Sequence, residues 1–377
     1  MASSLIGSRV ERKEDKKFLT GKGRYTADIN LANQTYAYFV RSPHARATIS
    51  KVDISKASKA PGVVRILTGD DLAKDKIGGL IAGWKIVSQD GTDMKCPPHP
   101  PLANNTVNFV GDHVAIVIAE TLDQAKDAAE KVRVDYKVLK AVVNTGDAMN
   151  SKPIHDGIDK NLCYDFLLGD KGKTDEAFSK ADKVVKLDLV NNRLIPNAME
   201  PRAAIGDYNS SSEELTLYTA SQNPHLSRLI LSAFNAVHPE HKLRVVSPDV
   251  GGGFGSKINA YAEDVVVAWA SKKIGKPVKW VAERTESFLS DNHGRDHLTH
   301  VELALKNDGK ITGIKVETIA NLGAYALVFA TVTPTYLYAP LLLGLYDIPT
   351  ACCNVKTVYT NTAPTDAYRG AGRPEAT

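Results

Sequence analysis

Residues 248–257 read PDVGGGFGSK, and the three consecutive glycines make this stretch costly to order. The apolar run LRVVSP at 243–248 precedes it and is typical of a strand. The segment 258–273 follows it, and its apolar residues recur at helical spacing. A glycine-rich turn between a strand and a helix N-terminus exposes backbone N–H groups that can bind an anion. The stretch therefore predicts an anion cradle, although close packing of a helix on a strand would select glycine as well.

Lys257 closes the stretch, and it either faces a bound anion or points to solvent. Two common phosphate-binding motifs do not fit the residues around it. The dinucleotide motif GxGxxG is broken by Ser256, and the P-loop motif would need glycine at that same position. The glycines alone therefore leave the identity of the anion open.

The composition is that of a globular protein. The chain has 377 residues, 43% hydrophobic and 24% charged, which suits two domains with a sizeable core. The net charge of +4 is mild and no basic run carries interleaved aromatics, so nucleic acid is not an expected partner. The four cysteines form no CxxC pair, which argues against a zinc site or an iron–sulfur cluster. Without a signal-peptide core or an apolar run of spanning length, we expect a cytoplasmic protein with no membrane span.

Hydrophobic periodicity predicts an α+β protein of mixed sheets with helices. Residues 1–22 are charged and are expected to form an irregular arm. Residues 23–140 alternate strands with a helix and form the first domain. Residues 141–377 form the second domain, whose first part, up to residue 183, is polar and is expected to be a surface linker. Strands are expected at 35–42, 47–54, 63–69, 114–120, 132–139, 183–192, 214–220, 243–248, 278–283 and 354–362, and helices at 122–132, 226–237 and 258–273. The stretch 297–324 is also expected to form strands, with a hairpin turn at NDG (307–309).

Two further stretches carry candidate binding residues. SQNPH at 221–225 follows a strand and opens a helix, which places the Gln222 amide in the same architecture as the glycine loop. A helix-capping role is the alternative for this stretch. TDAYRGAGRPEAT at 365–377 sets Arg369 and Arg373 on either side of two glycines, an arrangement suited to capture of an oxyanion. An ordinary pair of surface arginines is the alternative here.

Five motifs together resemble the large, molybdopterin-binding subunit of the xanthine dehydrogenase, aldehyde oxidase and carbon monoxide dehydrogenase family. In chain order they are RSPHARA (41–47), AMEPRAA (198–204), SQNPH (221–225), DVGGGFGSK (249–257) and AYRGAGRPE (367–375). The resemblance runs from about residue 20 to the C-terminus and implies the N-terminal half of that subunit. The implied parts are an α/β hammerhead domain over 23–140 and the first half of the molybdopterin-binding region over 141–377.

The resemblance also implies a cofactor and the residues that surround it. The cofactor would be molybdopterin with molybdenum, in its cytosine dinucleotide form. Gln222 would approach an oxygen ligand of the metal and Arg369 would lie beside the metal's ligands, both acting as fixed donors to negative charge. No residue of this chain is expected to bind the metal directly. The loop would line the metal centre through Gly252, Gly253, Phe254 and Gly255.

Three positions bear on the substrate that the resemblance implies. In purine-oxidising members a glutamate follows the loop lysine and a phenylalanine stands two residues after the loop arginine. Here these positions hold Ile258 and Ala371. Carbon monoxide dehydrogenases place a copper-binding cysteine directly after that arginine, where this chain has Gly370. The chain therefore resembles aldehyde oxidoreductases and similar hydroxylases, with Gly370 and Ala371 as a small wall of the substrate pocket.

The family's general base, a glutamate, would lie in a second cofactor half beyond Thr377. Neither Glu200 nor Glu263 lies in the matching motif, so no catalytic residue is assigned in this chain. We expect one product of a split subunit or a fragment, completed by a second molybdopterin-binding chain or C-terminal half. Subunits with FAD and [2Fe–2S] clusters would carry electrons away. The expected function is hydroxylation of an aldehyde or similar electrophilic carbon of a small molecule with water; a non-catalytic assembly protein and a phosphate-binding module are the alternatives.

Overall fold

The computed structural model describes residues 6–376. Its α-helices are α1 (Asp15–Leu19), α2 (Gly69–Lys74), α3 (Leu122–Ala129), α4 (Lys171–Ser179), α5 (Pro224–Leu229), α6 (Ala262–Ile274), α7 (Arg284–Ser290) and α8 (Arg373–Ala376). Its strands are β1 (Thr35–Arg41), β2 (Ala47–Asp53), β3 (Val63–Thr68), β4 (Thr106–Val107), β5 (His113–Ala119), β6 (Arg133–Val138), β7 (Leu162–Gly169), β8 (Lys183–Asn191), β9 (Ala203–Asn209), β10 (Glu214–Thr219), β11 (Leu243–Val246), β12 (Val278–Val281), β13 (His297–Leu305), β14 (Ile311–Asn321) and β15 (Ala351–Val358). Short 3₁₀ turns span Thr26–Asp28, Ala57–Lys59, Ala148–Asn150, Asp159–Asn161, Glu240–Lys242 and Ala339–Leu341.

A seven-stranded sheet joins the two predicted domains. Its order is β11-β10-β9-β12-β1-β5-β3, so strands from both sides of residue 140 share one hydrogen-bonded ladder. The junction is the parallel pairing of β1 with β12, in which Thr35 lies opposite Val278. Phe39 and Trp280 pack edge to face beside it, with ring centroids 5.8 Å apart. The apolar residues of both halves therefore form one continuous core.

Helix α6 crosses the face of this sheet and is buried from Ala262 to Ser271, which explains why its sequence is apolar on most sides. Gly206 in β9 permits the close approach, because a Cβ there would lie 2.6 Å from the carbonyl oxygen of Val267. The predicted start of this helix at residue 258 is wrong. Residues 254–257 form a turn, and the helix begins only after Tyr261.

A five-stranded sheet, in the order β7-β15-β14-β13-β8, builds the second layer. The irregular segment 322–343 covers β7, β15 and β14, with Leu327 and Tyr338 in the shared core. The two edges of this sheet differ. Residues 86–95 run along β7, where Gln89 N–H donates to the Asp165 carbonyl at 2.8 Å. Strand β8 has exposed residues along almost its whole length.

The remaining three-stranded sheet, β4-β2-β6, is formed entirely by residues before 140. It contributes Ala47 and Val107 to a small core that Val114 of β5 also joins. Helix α3 packs through Ala125 and Ala128 on β3 and β5 and closes the strand–helix–strand unit that the sequence predicts.

The segment 141–183 is not the surface linker that the sequence predicts. It contains β7, which lies at one edge of the five-stranded sheet, and the helix α4. Asp165 interrupts the apolar alternation of β7 but bonds Asn354 of the neighbouring strand. Thr174 is the buried residue of α4, so that helix carries almost no apolar stripe. Both elements were missed because their stabilising contacts come from strands far along the chain.

Other boundaries differ in smaller ways. The helix predicted at 226–237 begins at Pro224 and passes into one π-helical turn, Ile230–Phe234. The arm predicted at 1–22 contains the short helix α1. Residues 1–5 of this arm lie outside the described part of the chain. Strand β9 was not predicted, because Gly206 and two alanines give it a weak β pattern. Among residues 6–376, no helix is long and apolar enough to cross a membrane.

Candidate functional site

The structure brings Gln222 and the glycine loop into direct contact. The Gln222 side-chain oxygen accepts a hydrogen bond from Gly255 N–H at 2.9 Å and a longer one from Lys257 N–H at 3.4 Å. A backbone N–H can only donate, so these bonds fix the oxygen on the loop side. The Gln222 amide nitrogen then faces away from the loop, and within residues 6–376 it has no hydrogen-bond partner. Asn223 occupies the helix-capping position, so Gln222 is not the cap.

At two positions of the loop, glycine is required because any side chain would be too close to neighbouring atoms. A Cβ at Gly253 would lie 2.2 Å from the Gln222 side-chain oxygen. A Cβ at Gly255 would lie 2.1 Å from the carbonyl oxygen of Ala367, and its φ of +103° is accessible mainly to glycine. The loop therefore packs against Gln222 on one side and against the segment 365–372 on the other.

Phe254 is the exposed residue at the tip of the loop. Its φ of +52° is uncommon for an aromatic residue, and the residue as a whole is 41% exposed. The Phe254 carbonyl accepts a hydrogen bond from Arg369 N–H at 2.9 Å. The Arg369 guanidinium carbon lies 5.6 Å from the centre of the Phe254 ring, close enough for a cation–π contact. Two sequence-predicted residues from stretches more than a hundred positions apart thus meet.

Arg369 presents an uncompensated charge. Its side chain is exposed and has neither an ion pair nor a hydrogen bond to any described residue. Arg369 and Gln222 therefore contribute two sets of free N–H donors to one loop surface. Such donors favour a ligand that carries negative charge on oxygen.

Arg295 holds the arginine loop in place, and sequence reasoning missed it. Its guanidinium donates to the carbonyls of Tyr368 at 2.9 Å and Arg369 at 3.1 Å. The same group pairs with Glu375 at 2.9 Å, and Glu375 accepts from Gly372 N–H at 2.7 Å. No local pattern in the sequence signals this role, because the contacts join residues about 75 positions apart.

Gly370 and Ala371 follow Arg369 on this surface. Gly370 has a φ of +81°, and both residues are half-buried. Gly372 fixes the end of the turn, since a Cβ there would lie 1.8 Å from the Leu337 carbonyl oxygen. Both residues have little side-chain volume, and their place in the wall of a substrate pocket stays a prediction.

Lys257 meets neither of the two expectations for it. Its side chain is 1% exposed and its ammonium group pairs with Glu200 at 2.7 Å. The same Glu200 oxygen accepts from Gly251 N–H at 2.7 Å, so the Lys257–Glu200 pair is tied to the start of the glycine loop. Burial lowers the pKa of Lys257, and the Glu200 charge opposes that shift. The anion opposite Lys257 is therefore a residue of the protein.

The helix dipole also plays a smaller part than the sequence predicts. The first turn of α6 lies beyond the loop, and the carboxylate of Asp264 accepts from Tyr261 N–H at 3.0 Å. Glu263 and Asp264 thus complement the positive helix end themselves. The loop surface owes its donor character to Gln222, Arg369 and loop backbone groups.

A buried ion network lies behind the loop. Arg202 meets Glu263 at 2.8 Å and Asp291 at 2.6 Å, and its guanidinium stacks 3.8 Å from the centre of the Tyr261 ring. Arg41 of β1 reaches Glu263 at 2.9 Å and so ties the first predicted domain to the second. Burial alone raises the pKa of Glu263, but the charges of Arg202, His113 and Arg41 hold it well below its usual value. We call Arg41, His113, Arg202, Glu263, Glu286 and Asp291 the scaffold network.

These contacts also bear on the search for a general base. Glu200 is paired with Lys257, and Glu263 is fully buried and paired with arginines. Both carboxylates stabilise the scaffold.

The surface fits an anionic cofactor. Its glycines let the loop pack closely on Gln222 and on the segment 365–372, because side chains at Gly253 and Gly255 would clash with the protein itself. Its free donors, the Gln222 amide and the Arg369 guanidinium, suit the oxygen ligands and phosphates of a molybdenum–pterin group. Phe254 adds an exposed apolar face beside them.

Comparisons with known proteins match two regions of this chain to known families. Residues 20–140 match the family described as "Aldehyde oxidase and xanthine dehydrogenase, a/b hammerhead domain". Residues 154–377 match the "Molybdopterin cofactor-binding domain".

Individual relatives span nearly the whole chain. The carbon monoxide dehydrogenase large chain of Hydrogenophaga pseudoflava is 36% identical over 98% of this chain and 46% of its own length. The nicotine 6-hydroxylase large subunit of Paenarthrobacter nicotinovorans is 34% identical over 98% of this chain and 45% of its own. The structure of quinoline 2-oxidoreductase from Pseudomonas putida 86 superposes with a TM-score of 0.90 at 32% identity, covering 97% of this chain and 46% of that one.

The chain thus spans a little under half the length of these relatives. Its matches cover both the hammerhead and the cofactor-binding regions, in the order in which the five motifs occur. The chain therefore belongs to the molybdopterin cofactor-binding family that includes the aldehyde oxidases and xanthine dehydrogenases.

Proposed function

We propose that this chain forms half of the cofactor cage of a molybdenum-dependent oxidoreductase that hydroxylates an electrophilic carbon with water. The observation that carries the proposal is the pair of unpartnered donors, Gln222 and Arg369, on either side of an exposed Phe254. Every charged residue of the scaffold network has an ionic partner within the protein. Gln222 and Arg369, by contrast, have side-chain donors with no partner among the described residues. A ligand with anionic oxygens would replace solvent at both of these exposed donors.

The bound molybdenum–pterin group would supply the two-electron oxidation, and the cytosine dinucleotide form is the one proposed. Gln222 would donate from its amide nitrogen, because the loop already occupies its oxygen. Arg369 would donate to oxygens beside it and stabilise charge that builds up during reaction. Gly252, Gly253 and Gly255 would shape the loop that lies against the group, and Phe254 would shield one side from water. None of these residues takes up a proton, so the general base would come from the completing half.

An electrophilic carbon beside nitrogen or oxygen is the proposed target, in an aldehyde or a nitrogen heteroaromatic ring. The small wall at Gly370 and Ala371 leaves space for a flat ring or a carbonyl group. The relatives named for nicotine and quinoline support the heteroaromatic class. The four cysteines lie at 96, 163, 352 and 353, away from the loop and the arginine segment, so a copper-linked site of carbon monoxide chemistry is not proposed.

A second molybdopterin-binding half would complete the site, as a separate chain or as part of a longer protein. More than half of each relative named above has no counterpart in this chain. Strand β8 is the surface that we assign to this half, because Leu187 and Val190 are 56% and 67% exposed there. An apolar strand at an open sheet edge is a ready site for pairing with further protein.

Electron carriers with FAD and [2Fe–2S] clusters are the other proposed partners. The relatives named above are a "large subunit" and a "large chain", which implies smaller companions in those proteins. A cytoplasmic location, where such carriers are assembled, is part of the proposal.

The test is purification of the protein from its own host through a tag on this chain. Co-purifying chains would be identified by mass spectrometry, and molybdenum would be measured by elemental analysis. We expect molybdenum near one atom per chain, together with a second pterin-binding part and flavin and iron–sulfur chains. A protein without molybdenum that binds no partner would favour a non-catalytic assembly protein. Binding of a simple nucleotide without molybdenum would favour a phosphate-binding module.

Variants would test the individual assignments. Gln222→Ala and Arg369→Ala should each lower activity of the assembled complex, and unchanged activity in both would contradict the site. Leu187→Lys should weaken retention of the completing half. Leu19→Lys is the matched control, because Leu19 is also exposed, at 86%, but lies on the N-terminal arm.

A further inference from the structure

Two cysteines from distant parts of the chain meet at the covered edge of the five-stranded sheet. Cys96 follows the segment that runs along β7, and Cys163 is the second residue of that strand. Lys95 N–H donates to the Cys163 carbonyl at 2.9 Å, which fixes the two backbones side by side. The hydroxyl of Tyr359 lies 3.6 Å from the Cys96 sulfur and 3.2 Å from the Cys163 sulfur. One buried group thus contacts both thiols.

The two thiols differ in exposure and in acidity. Cys96 is exposed, whereas Cys163 is buried. A hydrogen bond from the Cys163 thiol lowers the pKa of Cys96 to about 7, so much of it is thiolate at neutral pH. Burial raises the pKa of Cys163 well above its usual value. An accessible thiolate next to a buried thiol is the arrangement of an attacking and a resolving cysteine.

The other two cysteines lack these features. Cys352 and Cys353 are neighbours on β15 and are both buried. Adjacent residues of a strand point to opposite faces of the sheet. Burial raises the pKa of both thiols, that of Cys353 to about 12. They therefore serve as an internal control for the reactivity of the first pair.

We propose that Cys96 and Cys163 are a reversible oxidation site that forms a disulfide when the protein meets a hydroperoxide. The Cys96 thiolate attacks the terminal peroxide oxygen and the O–O bond breaks. Cys96 becomes a sulfenic acid, and the departing hydroxide or alkoxide takes a proton from water. The Cys163 sulfur then attacks the Cys96 sulfur. The S–O bond breaks, the S–S bond forms, and the departing oxygen takes the Cys163 proton to leave as water. The hydroperoxide is the oxidant, and a dithiol reductant reverses the change.

The disulfide would link the two parts of the fold. Cys96 lies in the segment 20–140 and Cys163 in the segment 154–377. The bond would therefore fasten residues 86–95 to β7 and hold that edge of the sheet closed. Opening of this segment exposes Ile86, which is buried in the shared core. Oxidation should consequently slow proteolysis of the segment.

The experiment treats the purified protein with hydrogen peroxide and then digests it with trypsin without reductant. Trypsin places Cys96 in the peptide 96–126 and Cys163 in the peptide 161–171. We expect the two peptides as one cross-linked species, two hydrogens lighter than their sum, and free thiols falling from four to two per chain. Four remaining thiols, or a disulfide between two copies of the chain, would overturn the proposal.

Variants separate the pair from general oxidation. Cys96→Ser sits at the surface and should retain its three thiols under the same peroxide treatment. Cys163→Ala should trap the sulfenic acid on Cys96, which dimedone labels. Cys352→Ser is the matched control and should still lose two thiols. Equal thiol loss in Cys96→Ser and the unaltered protein would show that Cys96 is not the attacking residue.

Tyr359 is a positioning residue in this proposal. Tyr359→Phe removes the hydroxyl that contacts both sulfurs and should slow disulfide formation several-fold, with the same final thiol count. An unchanged rate would show that the hydroxyl does not position the sulfurs. Trypsin should also cleave after Lys95 faster in the reduced protein than in the oxidised protein, because the disulfide holds residues 86–95 against β7.

Discussion

Arg202 and Arg369 lie in the same part of the fold, yet their surroundings are opposite. Arg202 is 5% exposed and is paired with Glu263 and Asp291, with the Tyr261 ring against its face. Arg369 is exposed, and the Phe254 ring is the group that its guanidinium meets among the described residues. Both arginines belong to the motifs that suggested the family, so a motif alone does not separate scaffold from site. What distinguishes a scaffold residue from a site residue is whether its charge is already paired within the protein.

The largest expected effect on stability comes from removing Arg202, the arginine whose charge is already paired within the protein. Arg202→Met would leave Asp291 buried without its cation and Glu263 with Arg41 as its remaining arginine, and should lower the free energy of unfolding by about 3–5 kcal/mol. Urea unfolding followed by tryptophan fluorescence measures it. Arg369→Met is the matched control and should change that free energy by less than about 0.5 kcal/mol. If Arg202→Met gives no folded protein, Arg202→Lys should show an intermediate loss. Equal effects of the two methionine variants would contradict the distinction.

Glycine variants test the packing between the loop and the arginine segment. Gly255→Ala adds a Cβ against the Ala367 carbonyl at a positive φ, and should cost roughly 3 kcal/mol. Gly309→Ala has a φ of +87° but no neighbour within 4 Å, so strain alone should cost about 1 kcal/mol there. Thermal unfolding of both variants measures the difference. A Gly255→Ala cost no greater than that of Gly309→Ala would mean that the loop can move away from Ala367.

The scaffold network should also be sensitive to acid. The pKa of Glu263 is held below its unfolded value, so its stabilising contribution is complete above about pH 4.5 and is lost as the pH falls further. The loss amounts to about 1.4 kcal/mol for each pH unit. Urea unfolding from pH 6 to pH 3 should show a shallower slope for Glu263→Gln than for the unaltered protein. Identical slopes would mean that Glu263 is not ionised within the network.

The smallest expected effect on stability comes from changing Gln222, whose amide nitrogen has no partner among the described residues. Gln222→Glu keeps an oxygen for Gly255 N–H but removes the free amide donor and adds negative charge. We expect a change in unfolding free energy below about 1 kcal/mol, with turnover of the assembled complex lowered roughly 100- to 1,000-fold. Urea unfolding and molybdenum content, measured on the same preparation, separate the two effects. Full activity and full molybdenum content in Gln222→Glu would rule out a donor role for this amide.

Sequence reasoning found most elements and named Gln222, Phe254 and Arg369, which the structure brings together at the loop surface. Periodicity gave β1, β5 and α3 within a few residues, because their apolar faces are formed locally. It missed β7 and β9, whose stability depends on partners such as Asn354 and the close-packed α6. It also missed Arg295, because a residue that holds two carbonyls 73 and 74 positions away leaves no local pattern.

The sequence by itself determined the family, the glycine loop and the two donor residues, since these follow from motifs that need only the order of residues. The tertiary structure decided which charges remain available. It buried Lys257 against Glu200, enclosed Arg202 in a network that spans both halves, and left Gln222 and Arg369 open. The physical reason is that desolvation and pairing depend on neighbours from distant segments, and only folding brings those neighbours together.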